Sequence, residues 1–429
     1  MNCLTSKELR RMKNVPDIRF KGFEEEWKTY ILSSIGNFRS NGVDKKIYND
    51  EQIVNLLNYM DVYNHRKITS KNCIDLMKVS ATKKQIKDCN IIKGDIFFTP
   101  SSETPDEIGY VMSIEETLPN TCYSYHLMRF RPFDRILYLS FADYCFSSNY
   151  FRGQMKFKAK GVQRFILSKP DFESLEALLP SYEEQEIITC LFKAIDNVIN
   201  DCKKKIASLK QLKSACLISM FPQQGETVPR VRFKGFDGEW KKVKLSNCLE
   251  ISKDINSVNV YGKEDVLSVS DEMGVMNQIK LLGRSYAGKS VSKYKILKPH
   301  QIVYTKSPLK DKPYGIIKEN CGETGIVSVL YAVFNTKENV DPTYIHYYFE
   351  PKFRINKYLY PLVNKGAKNT MNISDDTTLD GFVYIPSSEA EQHQIASYFR
   401  NLDIQISEQE KRLEKLKQIK AACLDKMFV

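Results

Sequence analysis

Histidine is scarce in this chain. There are five in 429 residues, at positions 65, 126, 300, 346 and 393, far apart in sequence. No His-Glu-x-x-His or finger-type spacing exists, so no metal site is expected. Eleven cysteines occur, none in a Cys-x-x-Cys pair. Scattered thiols such as Cys73, Cys145 and Cys321 read as small core residues of a reducing compartment. No stretch approaches the roughly 20 apolar residues of a membrane span. The start, Met1 to Arg11, lacks the apolar core of a signal peptide, so a cytoplasmic location without membrane contact is expected. Gly-x-Gly-x-x-Gly, Gly-x-Ser-x-Gly and Asn-Pro-Pro-Tyr, the last a holder of target adenines, are all missing, and no catalytic residue is expected. Acidic residues are the minority, 52 against 64 Lys and Arg, for a net charge of +12. That balance favours a polyanionic partner, nucleic acid before membrane surface, against the plainer reading of a solvated basic exterior.

Only two tryptophans are present, and they close the same phrase twice. Pro16-Asp17-Ile18-Arg19-Phe20-Lys21-Gly22-Phe23-Glu24-Glu25-Glu26-Trp27 returns as Pro229-Arg230-Val231-Arg232-Phe233-Lys234-Gly235-Phe236-Asp237-Gly238-Glu239-Trp240, an offset of 213 from residue 27 to residue 240. Leu209-Lys210-Gln211-Leu212-Lys213-Ser214-Ala215-Cys216-Leu217 returns from Leu416 to Leu424, an offset of 207. The period is far too long for a solenoid, and each copy is large enough for its own core.

The expected fold is α+β: two similar mixed α/β domains in tandem, each followed by a long helix, the two helices pairing as an antiparallel coiled coil. The boundaries read as an N-terminal segment 1–15, a first domain 16–180, a central helix 181–222, a linker 223–228, a second domain 229–386 and a terminal helix 387–429. Within the domains, Ile91 to Thr99 reads as turn then strand, matched by Ile296 to Thr305, and Pro342 to Tyr360 reads as helical. Ser181 with Glu184 three residues on is an N-cap signature. The apolar stripe Ile188, Phe192, Ile195, Ile199, Ile206 and Leu209 steps mostly by three or four. Its counterpart Ile395, Leu402, Ile406, Leu413 and Leu416 steps by three, four or seven, the same helical face. These residues are the expected seam of a helix pair about 60 Å long. The competing reading packs each stripe on its own domain.

Two motifs imitate catalytic ones. Gly283-Arg284-Ser285-Tyr286-Ala287-Gly288-Lys289-Ser290 fits the P-loop pattern, but a β-prone segment and Pro299 follow where a helix is required. Asp17, Glu26 and Lys28 resemble the acid pair and lysine of metal-dependent nucleases. Copy two places Arg230 at the metal-ligating position and keeps the aromatics, so Phe20, Phe23 and Trp27 read as an apolar anchor. Basic residues interleave with aromatics near the end of each domain. Copy one offers Arg152, Lys156, Lys158, Lys160, Gly161, Gln163 and Arg164; copy two offers Arg354, Lys357, Lys365, Gly366, Lys368 and Asn369. Lys and Arg supply phosphate contacts, and Arg, Gln and Asn can read base edges. The shared Lys-Gly suggests a tight turn that brings backbone close to a duplex. An ordinary solvated face is the alternative.

Taken in order, the RFKGF…EW box, a variable domain, then Pro-Ser-x-x-Glu-Gln and a Lys-rich helix ending in Met-Phe, all twice, resemble the specificity subunit of type I restriction-modification enzymes. The resemblance covers about Pro16 to Val429. It implies two target-recognition domains, each reading one half of a bipartite, gapped site on double-stranded DNA, with the helices as a ruler for the gap. It implies partners: two methyltransferase subunits that use S-adenosylmethionine on adenine, and up to two motor-nuclease subunits that use ATP and Mg²⁺. The chain itself would then bind no cofactor, perform no chemistry, and address a defence against foreign DNA. The runner-up is a stand-alone regulator binding a gapped site; a coiled-coil scaffold and a DNA-processing enzyme follow.

Overall fold

The computed structural model describes residues 14–133, 135–365 and 371–428. The chain divides into two units: Met1–Cys202 with Arg412–Val429, and Lys203–Lys411. Both are built on one frame. In unit 1 the residues after the first box form the strand Lys28–Ile31, which pairs antiparallel with Glu176–Leu179 just ahead of the central helix. In unit 2 Lys241–Lys244 pairs the same way with Phe382–Ile385. Each frame then holds a four-stranded antiparallel sheet. In unit 1 its order is Gly36–Arg39, Met128–Pro132, Ile96–Phe98, Val111–Ser113. In unit 2 the order is Leu249–Ile251, Tyr331–Thr336, Ile302–Thr305, Ile317–Glu319. The first strand in sequence neighbours the last in both, so the two sheets share a topology.

The repeated box works by ion pairing and apolar burial. Arg19 holds Glu184 through two hydrogen bonds of 2.7 and 2.8 Å, and Arg232 holds Glu391 at the same two distances. Each glutamate lies in the first turn of a long helix and is buried. A buried carboxylate survives only with such a fork, because lone burial of a charge costs several kcal/mol. The neighbouring glutamines repeat as well. Gln185 donates to the carbonyls of Ile136 and Pro180, both at 3.1 Å, and accepts from the Tyr138 amide. Gln392 donates to Asn339 and Pro386 and accepts from the Asp341 amide. Trp27 and Trp240 are buried, each 2 % exposed. Phe428 stands edge-on to Trp27 at 5.9 Å, and Phe221 stands edge-on to Trp240 at 6.1 Å. The Met-Phe that ends each long helix is therefore the apolar partner of a box tryptophan. Phe20 and Phe233 are half-buried against the same cores.

The long helices are Tyr182–Ser219 and Glu389–Lys426, each 38 residues, about 57 Å long. Each unit contains part of both, and in each the two parts run antiparallel. In unit 1 Lys420 reaches Asp196 at 2.6 Å. In unit 2 Lys213 reaches Asp403 at 2.7 Å, Lys210 reaches Glu410 at 2.7 Å, and Cys216 lies 3.4 Å from the Tyr398 hydroxyl. Residue numbers rise on one helix as they fall on the other, which fixes the register.

The expected seam is shared between helix and domain. Ile188 and Phe192 sink into the unit 1 core beside Trp27, Met427 and Phe428. Leu209, Ile395, Leu402 and Ile406 join the unit 2 core with Trp240 and Tyr344. Ile199 and Ile206 are buried, while Ile195, Leu413 and Leu416 are half-buried. Both readings of the stripe hold locally: where a domain lies alongside, the same apolar face covers domain and helix together. The helix expected over Pro342 to Tyr360 is two, Pro342–Phe349 and Lys352–Leu359. Pro351 lacks an amide and separates them.

Between shared strands the units diverge. Unit 1 carries a second four-stranded sheet, Met77–Ala81, Gln52–Leu57, Leu118–Tyr123, Asn90–Ile91, whose middle pair is parallel. It encloses its own apolar cluster around Val54, Leu56 and Tyr123. Unit 2 has instead a hairpin, Leu267–Ser270 with Gly274–Asn277, and the pair Lys295–Leu297 with Gly325–Val327, over smaller apolar clusters.

Candidate nucleic-acid interface

In unit 1 the basic residues sit on the helix Asn149–Lys158 and the loop after it. Ser148 caps the helix by accepting from the Phe151 amide, and Phe151 and Met155 fasten it to the core. Phe157 is left 91 % exposed among lysines. The chain then turns back: the Lys160 amide donates to Ile166 O at 3.1 Å and the Ile166 amide to Lys160 O at 2.9 Å. Gly161 takes φ +147°, and a Cβ there would meet Arg164 O at 1.9 Å. The Lys-Gly turn anticipated from sequence is thus a closed tip whose residues 161–164 are all exposed, with Val162 at 92 %. Gln163 stands on that tip. Lys158 is half-buried and Lys160 exposed, the latter 3.9 Å from Asp171.

Ser101 joins this tip to an aromatic platform. Arg164 Nη2 donates to Ser101 Oγ at 3.1 Å, and the Tyr59 hydroxyl donates to Ser101 O at 2.7 Å. Tyr59 and Tyr63 stack at 5.9 Å on a short helix with an Asn58–Asp61 capping box. Tyr110 meets Tyr63 and His65 edge-on at 5.1 and 5.3 Å. The Arg152 guanidinium lies over Tyr110 at 5.3 Å and donates to Asp106 O. Lys156 pairs with Asp106 at 2.5 Å, and that hydrogen bond pulls the Asp106 carboxyl below its ordinary value. Arg152 and Lys156 therefore belong to the platform's edge, while Lys158, Lys160, Gly161, Gln163 and Arg164 make the tip. His65, at φ +49°, is held neutral by burial and by Lys420 and Arg152. Such a face can stack planar groups and contact phosphates. Sequence reasoning missed Tyr59, Tyr63, His65, Tyr110 and Ser101, which lie 54 to 105 residues before Arg164. The one local signal was the capped Tyr-x-x-x-Tyr turn.

Unit 2 repeats the helix but spends its arginine differently. Arg354, on Lys352–Leu359, is 7 % exposed. It donates to Tyr348 O at 2.8 Å and Leu217 O at 3.0 Å, and lies over Phe221 at 4.7 Å. Its place is inside, satisfying a last-turn carbonyl of the central helix, and it offers nothing to a duplex. Burial lowers its pKa. Lys357 is exposed and donates to Gln224 Oε1 at 2.7 Å. Lys365 lies on the strand Asn364–Lys365, which pairs with Met371–Asn372. Gly366, Lys368 and Asn369 lie outside the described residues.

The P-loop imitation does not assemble. A five-residue helix precedes Gly283, and the next element after Ser290 is the strand Lys295–Leu297 where a helix is required. Among the described residues no group of three His, Cys, Asp or Glu could hold a metal ion, and no helix is long and apolar enough to cross a membrane. An open cavity of about 400 Å³ lies at the first box between Glu25, Lys28, Arg135 and Ser181. Its lining, of mixed charge, belongs to the frame.

Residues 24–211 match the family model described as the type I restriction modification DNA specificity domain. No curated protein matches the chain. In fold it is similar to the S subunit of a type I restriction-modification system from M. genitalium: 14 % identity, 97 % of this chain and 99 % of that one covered, TM-score 0.55. It is similar also to a chain from a study of complex assembly and conformational transition of the type I R-M system: 14 % identity, 95 % and 99 % covered, TM-score 0.51. The resemblance drawn from the repeated boxes is thus met by sequence over the first copy and by fold over nearly the whole chain.

Proposed function

We propose that this chain is the DNA-recognition subunit of a type I restriction-modification complex. Each unit reads one half of a bipartite, gapped site on double-stranded DNA. The duplicated frame carries this reading: one scaffold occurs twice, with different inserts, on paired antiparallel helices. A single reader would need one copy, and a plain symmetric dimer would need two identical ones. The long helices dock two methyltransferase subunits that use S-adenosylmethionine on adenine, and motor-nuclease subunits, where present, add ATP- and Mg²⁺-dependent translocation and cleavage. The chain contributes address rather than chemistry, in the cytoplasm, without a cofactor of its own.

Co-expression with a neighbouring methyltransferase and genome-wide mapping of methylated adenine tests this. The expected result is one new motif of two short specified blocks around a fixed unspecified gap. A stable complex that adds no methylation overturns the reading; salt-dependent DNA binding by the chain alone would then point to the stand-alone regulator.

A further inference from the structure

The P-loop imitation in unit 2 has a use that its nucleotide-binding pattern hides. From Met273 to Lys310 the chain carries no acidic residue. Of the cations in that stretch, Lys295 and Lys306 share the Asp375 carboxylate and Lys298 pairs with Asp254. Lys280, Arg284, Lys289 and Lys293 are exposed and pair with no acid among the described residues. They share one short segment, Gln278 to Lys293, with exposed apolar groups: Leu282 is 50 % and Tyr286 60 % exposed.

This segment is held in shape. Asn277 caps the helix Gln278–Leu282, and Gly283 ends it at φ +78°. The Gln278 side chain accepts from the Tyr286 amide at 2.7 Å and donates to Ser268 Oγ at 3.0 Å, pinning the loop to the hairpin. Val291 is buried beyond it. The Arg284 guanidinium lies over the Tyr286 ring at 4.6 Å. A stacked guanidinium keeps its planar fork available for a bidentate acceptor and loses less freedom on binding. Exposed cations without acids, beside apolar side chains on a pinned loop, match the charge of a duplex and the mixed polarity of its major groove.

We propose that Gln278 to Lys293 is the groove-entering loop of unit 2. Arg284 reads a guanine through its O6 and N7 acceptors, and Lys280, Lys289 and Lys293 hold the flanking phosphates. The inference rests on the DNA-recognition reading above and names where that recognition resides in the second copy. It also accounts for the burial of Arg354: unit 2 reads from its insert, where the two copies differ, and not from the shared helix.

The full-length chain, co-expressed with its methyltransferase partner, is tested on a library of random duplexes at several salt concentrations. Arg284→Ala with Lys289→Ala should weaken binding at least tenfold and reduce the salt slope by about 1–2. It should relax one block of the selected motif and leave the other unchanged. Arg284→Lys, which keeps charge and loses the fork, should keep affinity within a few-fold and lose preference at one base pair. Unchanged affinity and motif in both variants overturn the proposal. So does loss of the methyltransferase with DNA binding intact, which would make the loop a protein-docking surface. If the unsubstituted complex binds no DNA, the recognition reading fails first and takes this inference with it.

Discussion

Units 1 and 2 agree where they hold helices and differ where they face outward. The Arg19–Glu184 and Arg232–Glu391 forks match within 0.1 Å. The glutamine contacts, tryptophan–phenylalanine pairs and sheet order also coincide. The inserts do not: a four-stranded sheet with a parallel pair in one, a hairpin and a two-stranded pair in the other. Even a shared position diverges in use. The helix that presents Arg152 beside Tyr110 in unit 1 sends Arg354 inward in unit 2. A scaffold that must grip the same two helices has little freedom. An insert that answers only to its own core and its ligand has much.

Breaking the forks should have the largest effect. Arg19→Ala and Arg232→Ala each strand a buried carboxylate, at a cost of about 3–5 kcal/mol. Amide exchange should rise in the substituted unit alone, and by equal amounts in the two variants. A strong asymmetry would show that the forks, though alike in geometry, are not equivalent in energy.

A smaller effect is expected at the tip. Gly161→Ala forces a Cβ onto Arg164 O and should cost about 1–3 kcal/mol of local strain. DNA affinity should fall and one block of the motif should relax, the block untouched by the Arg284 substitutions. Relaxation of the same block would refute the assignment of one half-site to each unit.

The mildest effects concern pH, and the units should respond with opposite sign. Burial lifts the Asp143 carboxyl of unit 1 from 3.8 to about 7, although part of its surface meets solvent, which tempers the effect. Folded unit 1 therefore keeps a proton that the unfolded chain releases, so its stability is greatest at low pH and falls as pH rises towards 7. Asp143→Asn, which can still accept from the Ser113 amide, should raise Tm at pH 8 and change little near pH 4. In unit 2 burial holds the His346 imidazole far below 6.5, its Nδ1 accepting from the Glu319 amide. That unit keeps full stability above 6.5 and loses it as pH falls. Exchange measured at pH 5 and pH 8 should open unit 2 first at the lower value and unit 1 first at the higher. Parallel behaviour would contradict both assignments.

Much of this was legible in the residues. The two-copy plan, the long helices and the Lys-Gly turn at Gly161 follow from repetition, a three-and-four rhythm and a residue tolerant of positive φ. The forks were not legible: Arg19 and Glu184 are 165 residues apart, and no local pattern links them. Nor was the platform, since Tyr59, Ser101, Tyr110 and Arg164 come together only when three separate segments pack. Arg354 misled because charge alone does not say which arginine is satisfied inside.

By itself, then, the sequence determined what depends on near neighbours and on its own repetition: copy number, helix length, which face of each helix is apolar, and which glycine makes a turn. Tertiary structure alone decided which partner each polar side chain finds. It made Arg354 an internal cap and left Arg284 outside, because burial and hydrogen-bond satisfaction are set by groups brought close across more than a hundred residues of chain.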